Sequence, residues 1–229
     1  MLLLALSCLQ GRPQTEAAYE LLSLGVEGLQ FTPGNAPSNL VLKSEDLWAC
    51  RTHHGFTRHA LRASVWSTSS TPSTGPPALL VSSDSVHPPA LSEDPSDRWF
   101  QSACEGSYGA TVFETMYPGY RLGTGKELDS AMDLGWPLAV DVSHLCLQLS
   151  AGVLETTTLK RLFGYQHVAE VHLSDNDGRR DLHRQMSADT FGLAWSRERL
   201  RGGTPTIVEC YMHRLSVDER LGQIDLVRG

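Results

Sequence analysis

Short apolar runs recur along the whole chain and are separated by segments long enough to form helices. The eight runs that predict strands are Leu2–Ser7, Val26–Phe31, Ala49–His54, Ala78–Ser83, Ala110–Glu114, Leu138–Asp141, Val168–His172 and Thr206–Glu209. Continuous apolar runs of about four to six residues are typical of strands buried in a parallel sheet. Alternation of such strands with helices predicts a single closed (β/α)8 barrel of the TIM type over residues 1–229.

Capping and stop signals between these runs support the predicted helices. Helices are expected at residues 15–24, 92–103, 126–134, 154–163 and 217–227. Ser216 and Glu219 form the pattern of a capping box before the last of them, and Gly135 and Gly164 follow two others, where glycine commonly ends a helix. By contrast, residues 67–77 are rich in Ser, Thr, Pro and Gly, which predicts a surface loop after the third strand.

Composition limits the class of protein. With 229 residues, 41% hydrophobic residues and a formal net charge of -7, the chain fits a globular fold and lacks the basic character of a nucleic-acid or membrane binder. The apolar segment 1–8 lacks a basic start and is too short to cross a bilayer, so it is expected to be the first buried strand. Five widely spaced cysteines without a Cys-x-x-Cys motif predict a reducing, cytoplasmic location.

Polar side chains with metal-ligand chemistry follow the predicted strands. The strand ends and the turns after them contribute His53 or His54, His87, Glu114, Asp141, His144, His172, Asp181, His183 and Glu209. Because the carboxyl ends of the strands meet on one face of a barrel, these carboxylates and imidazoles are expected to converge. Several buried anions repel one another, and a divalent cation such as Zn, Mn or Fe would remove that cost. A helix-capping role for individual acidic residues is the alternative.

The ordered set of these residues resembles the xylose-isomerase-like barrel superfamily. The set consists of Glu114, Asp141-x-x-His144, the stretch His172-Leu-Ser-Asp-Asn-Asp-Gly178, Asp181-x-His183 and Glu209. The superfamily groups sugar-phosphate isomerases and epimerases with AP endonucleases of the endonuclease IV type, and the chain is also similar to multinuclear iron-dependent oxidative enzymes. The resemblance covers nearly the whole chain and implies a barrel that is a metal-dependent enzyme.

The two main branches of the superfamily imply different metal sites. The isomerase and epimerase branch implies one ion held by Glu114, Asp141, His172 and Glu209. In that branch the two glutamates also act as acid and base, and His144 orients a substrate hydroxyl. The endonuclease IV branch implies a three-metal cluster completed by His54 or His53, His87, His144, Asp181 and His183. The resemblance therefore implies one to three ions of Mn, Zn or Fe.

Departures from the branch patterns leave the substrate open. Residues 184–192 stand where the isomerases carry a glycine-rich stretch, and the first strand lacks a glycine-rich turn that would contact DNA. The leading prediction is an isomerase or epimerase acting on a hydroxylated or phosphorylated small molecule. The alternatives are a multinuclear enzyme, either a zinc phosphoesterase or an iron-dependent oxidase of a peptide or natural product, and a degenerate barrel that only binds ligands. Anionic substrate groups are expected at Arg179, Arg180 and Arg184, for which a solvated loop is the alternative.

Overall fold

The computed structural model describes residues 1–31, 49–54, 66–67, 78–79 and 83–229. Its strands are β1 (Leu2–Ala5), β2 (Gly28–Phe31), β3 (Ala49–His54), β4 (Trp66–Ser67), β5 (Ala78–Leu79), β6 (Ser85–Val86), β7 (Val112–Glu114), β8 (Leu138–Asp141), β9 (Val168–Leu173) and β10 (Thr206–Val208). Its α-helices are α1 (Gln14–Leu22), α2 (Arg98–Cys104), α3 (Gly125–Asp133), α4 (Val142–Ser150), α5 (Thr156–Phe163), α6 (Leu193–Arg201) and α7 (Val217–Arg228). A short 3-10 helix, Leu6–Leu9, follows β1.

Parallel strands form a closed barrel in the order β1-β10-β9-β8-β7-β6-β3-β2, with the last strand pairing back to the first. The predicted parallel α/β barrel is therefore confirmed as an architecture, and Leu2–Ala5 is its first strand. The segments after β2 and β3 lie outside the described residues, so the full repeat of eight strand–helix units stays a prediction. Residues 68–77 of the predicted surface loop lie outside the described residues as well.

The predicted fourth strand is wrong. β5, which starts that apolar run, pairs with β4 in a separate antiparallel sheet, and β6 takes the barrel position between β3 and β7. The apolar pattern does not predict β6, because this strand has only two residues and one of them is the polar Ser85. Ser85 is fully buried because its hydroxyl finds hydrogen-bonding partners inside the barrel, His53 and Glu170.

The start of α7 agrees with its sequence signal. Ser216 and Glu219 form the predicted capping box of α7. α2 begins later than predicted, at Arg98, because the carboxylate of Asp94 accepts the backbone N–H groups of Arg98 and Trp99. The sequence signals give no indication of α4 or α6. α4 starts at Val142, directly after Asp141 ends β8, so no turn residues mark a boundary between the two elements.

A hydrophobic core occupies the layer between the barrel strands and the surrounding helices. All residues of β1 and β8 are buried. Outside the barrel, Trp99 of α2 is fully buried and packs edge-on against Phe113 and Trp136, with ring centroids 5.1 and 6.0 Å away. Truncating such an aromatic side chain costs about 3–5 kcal/mol, so this packing fixes the strands whose ends carry the polar residues. In the described part of the chain, no helix combines the length and apolar character needed to span a membrane.

Candidate metal centre

Glu114, the last residue of β7, is a buried carboxylate surrounded by imidazoles. Its Oε2 atom lies 2.8 Å from Nε2 of His53 and 2.8 Å from Nε2 of His87. Its Oε1 atom lies 3.2 Å from Nδ1 of His144 and 3.5 Å from Nδ1 of His172. Burial alone would raise the pKa of Glu114, but the charges of these histidines hold that pKa well below its ordinary value. Glu114 therefore stays ionised, and its two oxygens face imidazoles of all three ligand groups described below.

Asp141, His172 and Glu209 form a second group at the ends of β8, β9 and β10. One ligand atom from each residue lies within 4.8 Å of the other two, and all three residues are buried. Burial raises the pKa of Asp141 to about 7; the attraction of His144 opposes this rise, and the charges of Glu114 and Glu209 add to it. A cluster of carboxylates this close is favourable only if a positive charge is shared among them.

Asp141 also caps the helix that follows its strand. Its Oδ1 atom accepts the backbone N–H of His144 at 3.0 Å, which makes Asp141 the N-cap of α4. The cap fixes the direction of the carboxylate and places His144 in the first turn of α4, facing the same site. The capping role and the metal-binding role of Asp141 are therefore compatible.

His144, Asp181 and His183 form a third group beside the first two. Nδ1 of His144 lies 2.9 Å from the carbonyl oxygen of Thr115, which can only accept a hydrogen bond, so Nδ1 carries a proton. Nε2 of His144 lies 3.4 Å from Oδ2 of Asp181, and Nε2 of His183 lies 3.3 Å from the same oxygen. Burial would lower the pKa of His144, but Asp141 and Asp181 raise it well above its ordinary value. Nε2 is thus the atom of His144 that can become a ligand.

The backbone conformation at His183 is unusual. Its φ of 46° lies in the left-handed region, which a histidine seldom adopts without compensating contacts. The carbonyl oxygen of His183 accepts the backbone N–H of Tyr211 at 2.8 Å, and Nδ1 lies 3.8 Å from Oε2 of Glu209. Burial lowers and Asp181 raises the pKa of His183, with a net rise to about 9. The strained loop therefore turns this imidazole toward the carboxylates.

The donor set fits a metal centre. Four buried atoms of these groups have no hydrogen-bond partner among the described residues: Oε2 of Glu114, Nδ1 of His172, Oδ1 of Asp181 and Nδ1 of His183. The two imidazoles near Oε2 of Glu114 lie close to it but lack hydrogen-bonding geometry toward it. An unpaired buried polar atom costs about 1–3 kcal/mol. Carboxylate oxygens and imidazole nitrogens are the donors that Zn, Mn and Fe accept, so bound ions would satisfy these atoms.

The structure brings most of the predicted ligands together. Those that meet are His87, Glu114, Asp141, His144, His172, Asp181, His183 and Glu209. At the end of β3, the side chain that reaches Glu114 is that of His53, while the side chain of His54 lies outside the described residues. The predicted substrate-binding residues Arg179, Arg180 and Arg184 are exposed on the loop after β9, so their role stays a prediction.

Three buried or half-buried polar residues beneath the ligands were not singled out by the strand-end pattern: Arg51, Ser85 and Glu170. Glu170 is fully buried, and its Oε2 atom accepts a hydrogen bond from Nε of Arg51 at 2.6 Å. Burial would raise the pKa of Glu170, but the hydrogen bond from His172 and the charge of Arg51 lower it to about 2. The signal that could have identified Glu170 is its position two residues before His172, since residues i and i+2 of a strand face the same side.

A comparison with solved structures shows the same fold. A crystal structure of D-allulose 3-epimerase from Methylomonas sp. matches with a TM-score of 0.58 at 13% sequence identity, covering 100% of this chain and 90% of that one. This likeness shows the fold alone, an α/β barrel. No family model and no curated protein matches the chain. The function has to be argued from the site, because one barrel fold hosts many chemistries.

Proposed function

We propose that the chain is a divalent-metal-dependent isomerase or epimerase that acts on a hydroxylated small molecule such as a sugar. The observation that carries this proposal is the convergence of Glu114, Asp141, His172 and Glu209 at the ends of four consecutive barrel strands. Barrels of this kind carry their chemistry on that face. The name of the structural neighbour, an epimerase of the sugar D-allulose, gives support at the level of the fold.

The surroundings of each residue favour a distinct role. A bound divalent ion would polarise adjacent carbonyl and hydroxyl oxygens of the substrate. Glu114 is 1% exposed and lies among four imidazoles, which suits a ligand that stays ionised, whereas Glu209 is 9% exposed and more accessible to a substrate. Glu209 is therefore the better placed of the two glutamates to move a proton at carbon. His144 would orient a substrate hydroxyl through Nε2.

The loop after β9 is proposed to set the choice of substrate. Asp175 and Arg184 pair through their backbones, with N–H···O distances of 3.0 and 2.7 Å, and this closure brings Asp181 and His183 to the site. The side chains of Arg179, Arg180 and Arg184 are exposed on the same loop. A phosphate or carboxylate group of a substrate would gain charge-assisted hydrogen bonds from these arginines.

A multinuclear enzyme is the second candidate, and the extra donors favour it. Four ligands suffice for a single ion, yet His53 and His87 both lie 2.8 Å from Glu114, and Asp181 lies within 3.4 Å of a nitrogen of His183. Three groups of donors of this kind could hold up to three ions. Zinc in these groups would suit phosphoester hydrolysis, and iron would suit oxidation of a peptide or natural product.

Metal stoichiometry combined with a proton-exchange assay tests the proposal. The purified protein would be analysed for Mn, Fe and Zn, then incubated with D-allulose or D-fructose in D2O, and the recovered sugar examined by mass spectrometry. One ion and metal-dependent uptake of deuterium into a carbon-bound position support the isomerase. Two or three ions without deuterium uptake favour the multinuclear enzyme. A protein that binds no transition metal after reconstitution contradicts both and favours a barrel that only binds ligands.

A further inference from the structure

Glu170 lies inside the barrel, one layer below the candidate ligands, and is fully buried. It belongs to β9, whereas its ion-pair partner Arg51 belongs to β3, and these two strands lie opposite each other in the barrel order. The 2.6 Å ion pair therefore crosses the barrel interior. A buried carboxylate costs several kcal/mol unless it is paired, and Arg51 supplies the pairing charge.

Both oxygens of Glu170 are occupied by donors. Oε2 accepts from Nε of Arg51. Oε1 accepts from the hydroxyl of Ser85 and lies 2.8 Å from Nε2 of His172. Because an ionised carboxylate can only accept, Nε2 of His172 carries the proton in this contact. The distances alone would also allow Glu170 to be a ligand together with His53 and His172. We assign it otherwise, because its oxygens already have partners whereas Oε2 of Glu114 has none.

The contacts of Glu170 reach two different imidazoles. The proton on Nε2 of His172 leaves Nδ1 facing Glu209 at 3.4 Å and Glu114 at 3.5 Å, and this Nδ1 atom has no hydrogen-bond partner among the described residues. The side-chain nitrogen of Gln30 also lies near Nε2 of His172, at 3.3 Å. That contact is longer than the one to the carboxylate, and an amide can present either its oxygen or its nitrogen.

The second imidazole is reached through Ser85. The hydroxyl of Ser85 donates to Glu170, so its oxygen is left to accept from Nδ1 of His53 at 2.8 Å. Nε2 of His53 then faces Oε2 of Glu114 at 2.8 Å and is the ring nitrogen available to a metal. One buried carboxylate thus sets which nitrogen is presented by a histidine of each of two ligand groups.

We infer that Glu170, held in place by Arg51, is a positioning residue that orients His172 directly and His53 through Ser85 for metal binding. Partners of this kind fix the tautomer and direction of a ligating histidine, and their loss typically weakens metal binding about 10–100-fold. The inference rests on the proposed metal centre for its effect on metal affinity. The orientation of the two rings can be tested without any metal.

The test uses NMR of the metal-free protein and zinc titration of the same samples. Hydrogen-bonded ring N–H protons of buried imidazoles exchange slowly and can be observed; those of His53 and His172 would be assigned with His→Gln variants. Glu170→Gln should shift or remove both signals, because an amide cannot accept from all three donors. Ser85→Ala should affect the signal of His53 and leave that of His172. Ser196→Ala is the matched control, since Ser196 is an equally buried serine of α6 whose hydroxyl donates to the carbonyl oxygen of Gly192, the N-cap of that helix.

Zinc affinity should fall about 10–100-fold in Glu170→Gln. In Ser85→Ala, only the affinity for the ion that contacts His53 should fall. Unchanged ring N–H signals in Glu170→Gln would overturn the inference. If that variant does not fold, Ser85→Ala decides: loss of the His53 signal alone supports the inference, and persistence of that signal contradicts it. A parent protein that binds none of Mn, Fe and Zn but shows the expected NMR changes would contradict the proposed function and still support the role of Glu170 as an orienting residue.

Discussion

Replacing Asp141 with Asn should stabilise the metal-free protein at alkaline pH. Asp141 is 1% exposed, and its pKa in the folded state is raised from an ordinary value of 3.8 to about 7. A raised folded-state pKa means that the charged form is disfavoured by folding, so the cost is absent below about pH 4 and complete above about pH 7. The rise corresponds to about 4 kcal/mol. Asparagine removes this cost and still caps α4, because its side-chain oxygen can accept the N–H of His144.

Urea denaturation in EDTA measures this effect. The free energy of unfolding of Asp141→Asn should exceed that of the parent by up to about 4 kcal/mol at pH 8, and the difference should shrink toward pH 4. Zn²⁺ at 1,000 times its Kd should add about 4.1 kcal/mol to the free energy of unfolding of the parent and much less to that of the variant. The greater stability of Asp141→Asn should therefore disappear when zinc is present. Asp225→Asn, an exposed position in α7, is the control and should change stability by less than about 0.5 kcal/mol. An Asp141→Asn protein less stable than the parent in EDTA at pH 8 would show that the buried charge of Asp141 does not destabilise the metal-free fold.

Three further predictions concern the ions and the substrate. His183→Ala should lower metal stoichiometry by about one ion while the site at Glu114 stays filled, and elemental analysis showing an unchanged single ion would exclude the multinuclear enzyme. Metal affinity should rise from pH 6 to pH 8, because Asp141 and His183 must lose protons whose pKa values lie at about 7 and about 9; competition titrations that give a flat profile would contradict this. Neutralising the arginine cluster should raise KM for an anionic substrate and reduce its dependence on salt, whereas an unaffected KM would identify the cluster as a solvated loop. The cluster comprises Arg179, Arg180 and Arg184.

The convergence of those candidate ligands that end an apolar run could be predicted from the sequence. Glu114 ends the run before it, and Asp141 and His172 end theirs in the same way. In a barrel of parallel strands, position along the strand is enough to place such residues on one face. The first strand, the parallel architecture and the capping box of α7 follow from similarly local patterns.

The polar layer beneath the ligands could not be predicted in this way. Arg51 and Glu170 are separated by 119 positions in the chain and meet only because their strands lie across the barrel from each other. Ser85 looks like a turn residue by local pattern, and only the partners supplied by distant strands make its burial favourable. The fourth barrel strand was predicted wrongly for the same reason. The apolar residues Ala78 and Leu79 give a stronger local strand signal than Ser85 and Val86, which form the barrel strand β6.

Elemental mass spectrometry of the purified parent and of Glu114→Gln tests whether the buried carboxylates and imidazoles hold metal ions. Glu114 contacts imidazoles of all three ligand groups. Replacing its carboxylate with the amide of glutamine should therefore weaken the binding of every ion. Glu127→Gln is the matched control, a half-buried glutamate at the start of α3. We expect at least one equivalent of Mn, Fe or Zn in the parent and in Glu127→Gln, and a large loss in Glu114→Gln. A folded parent without stoichiometric metal after reconstitution, or a Glu114→Gln variant that keeps its full metal content, would contradict this expectation.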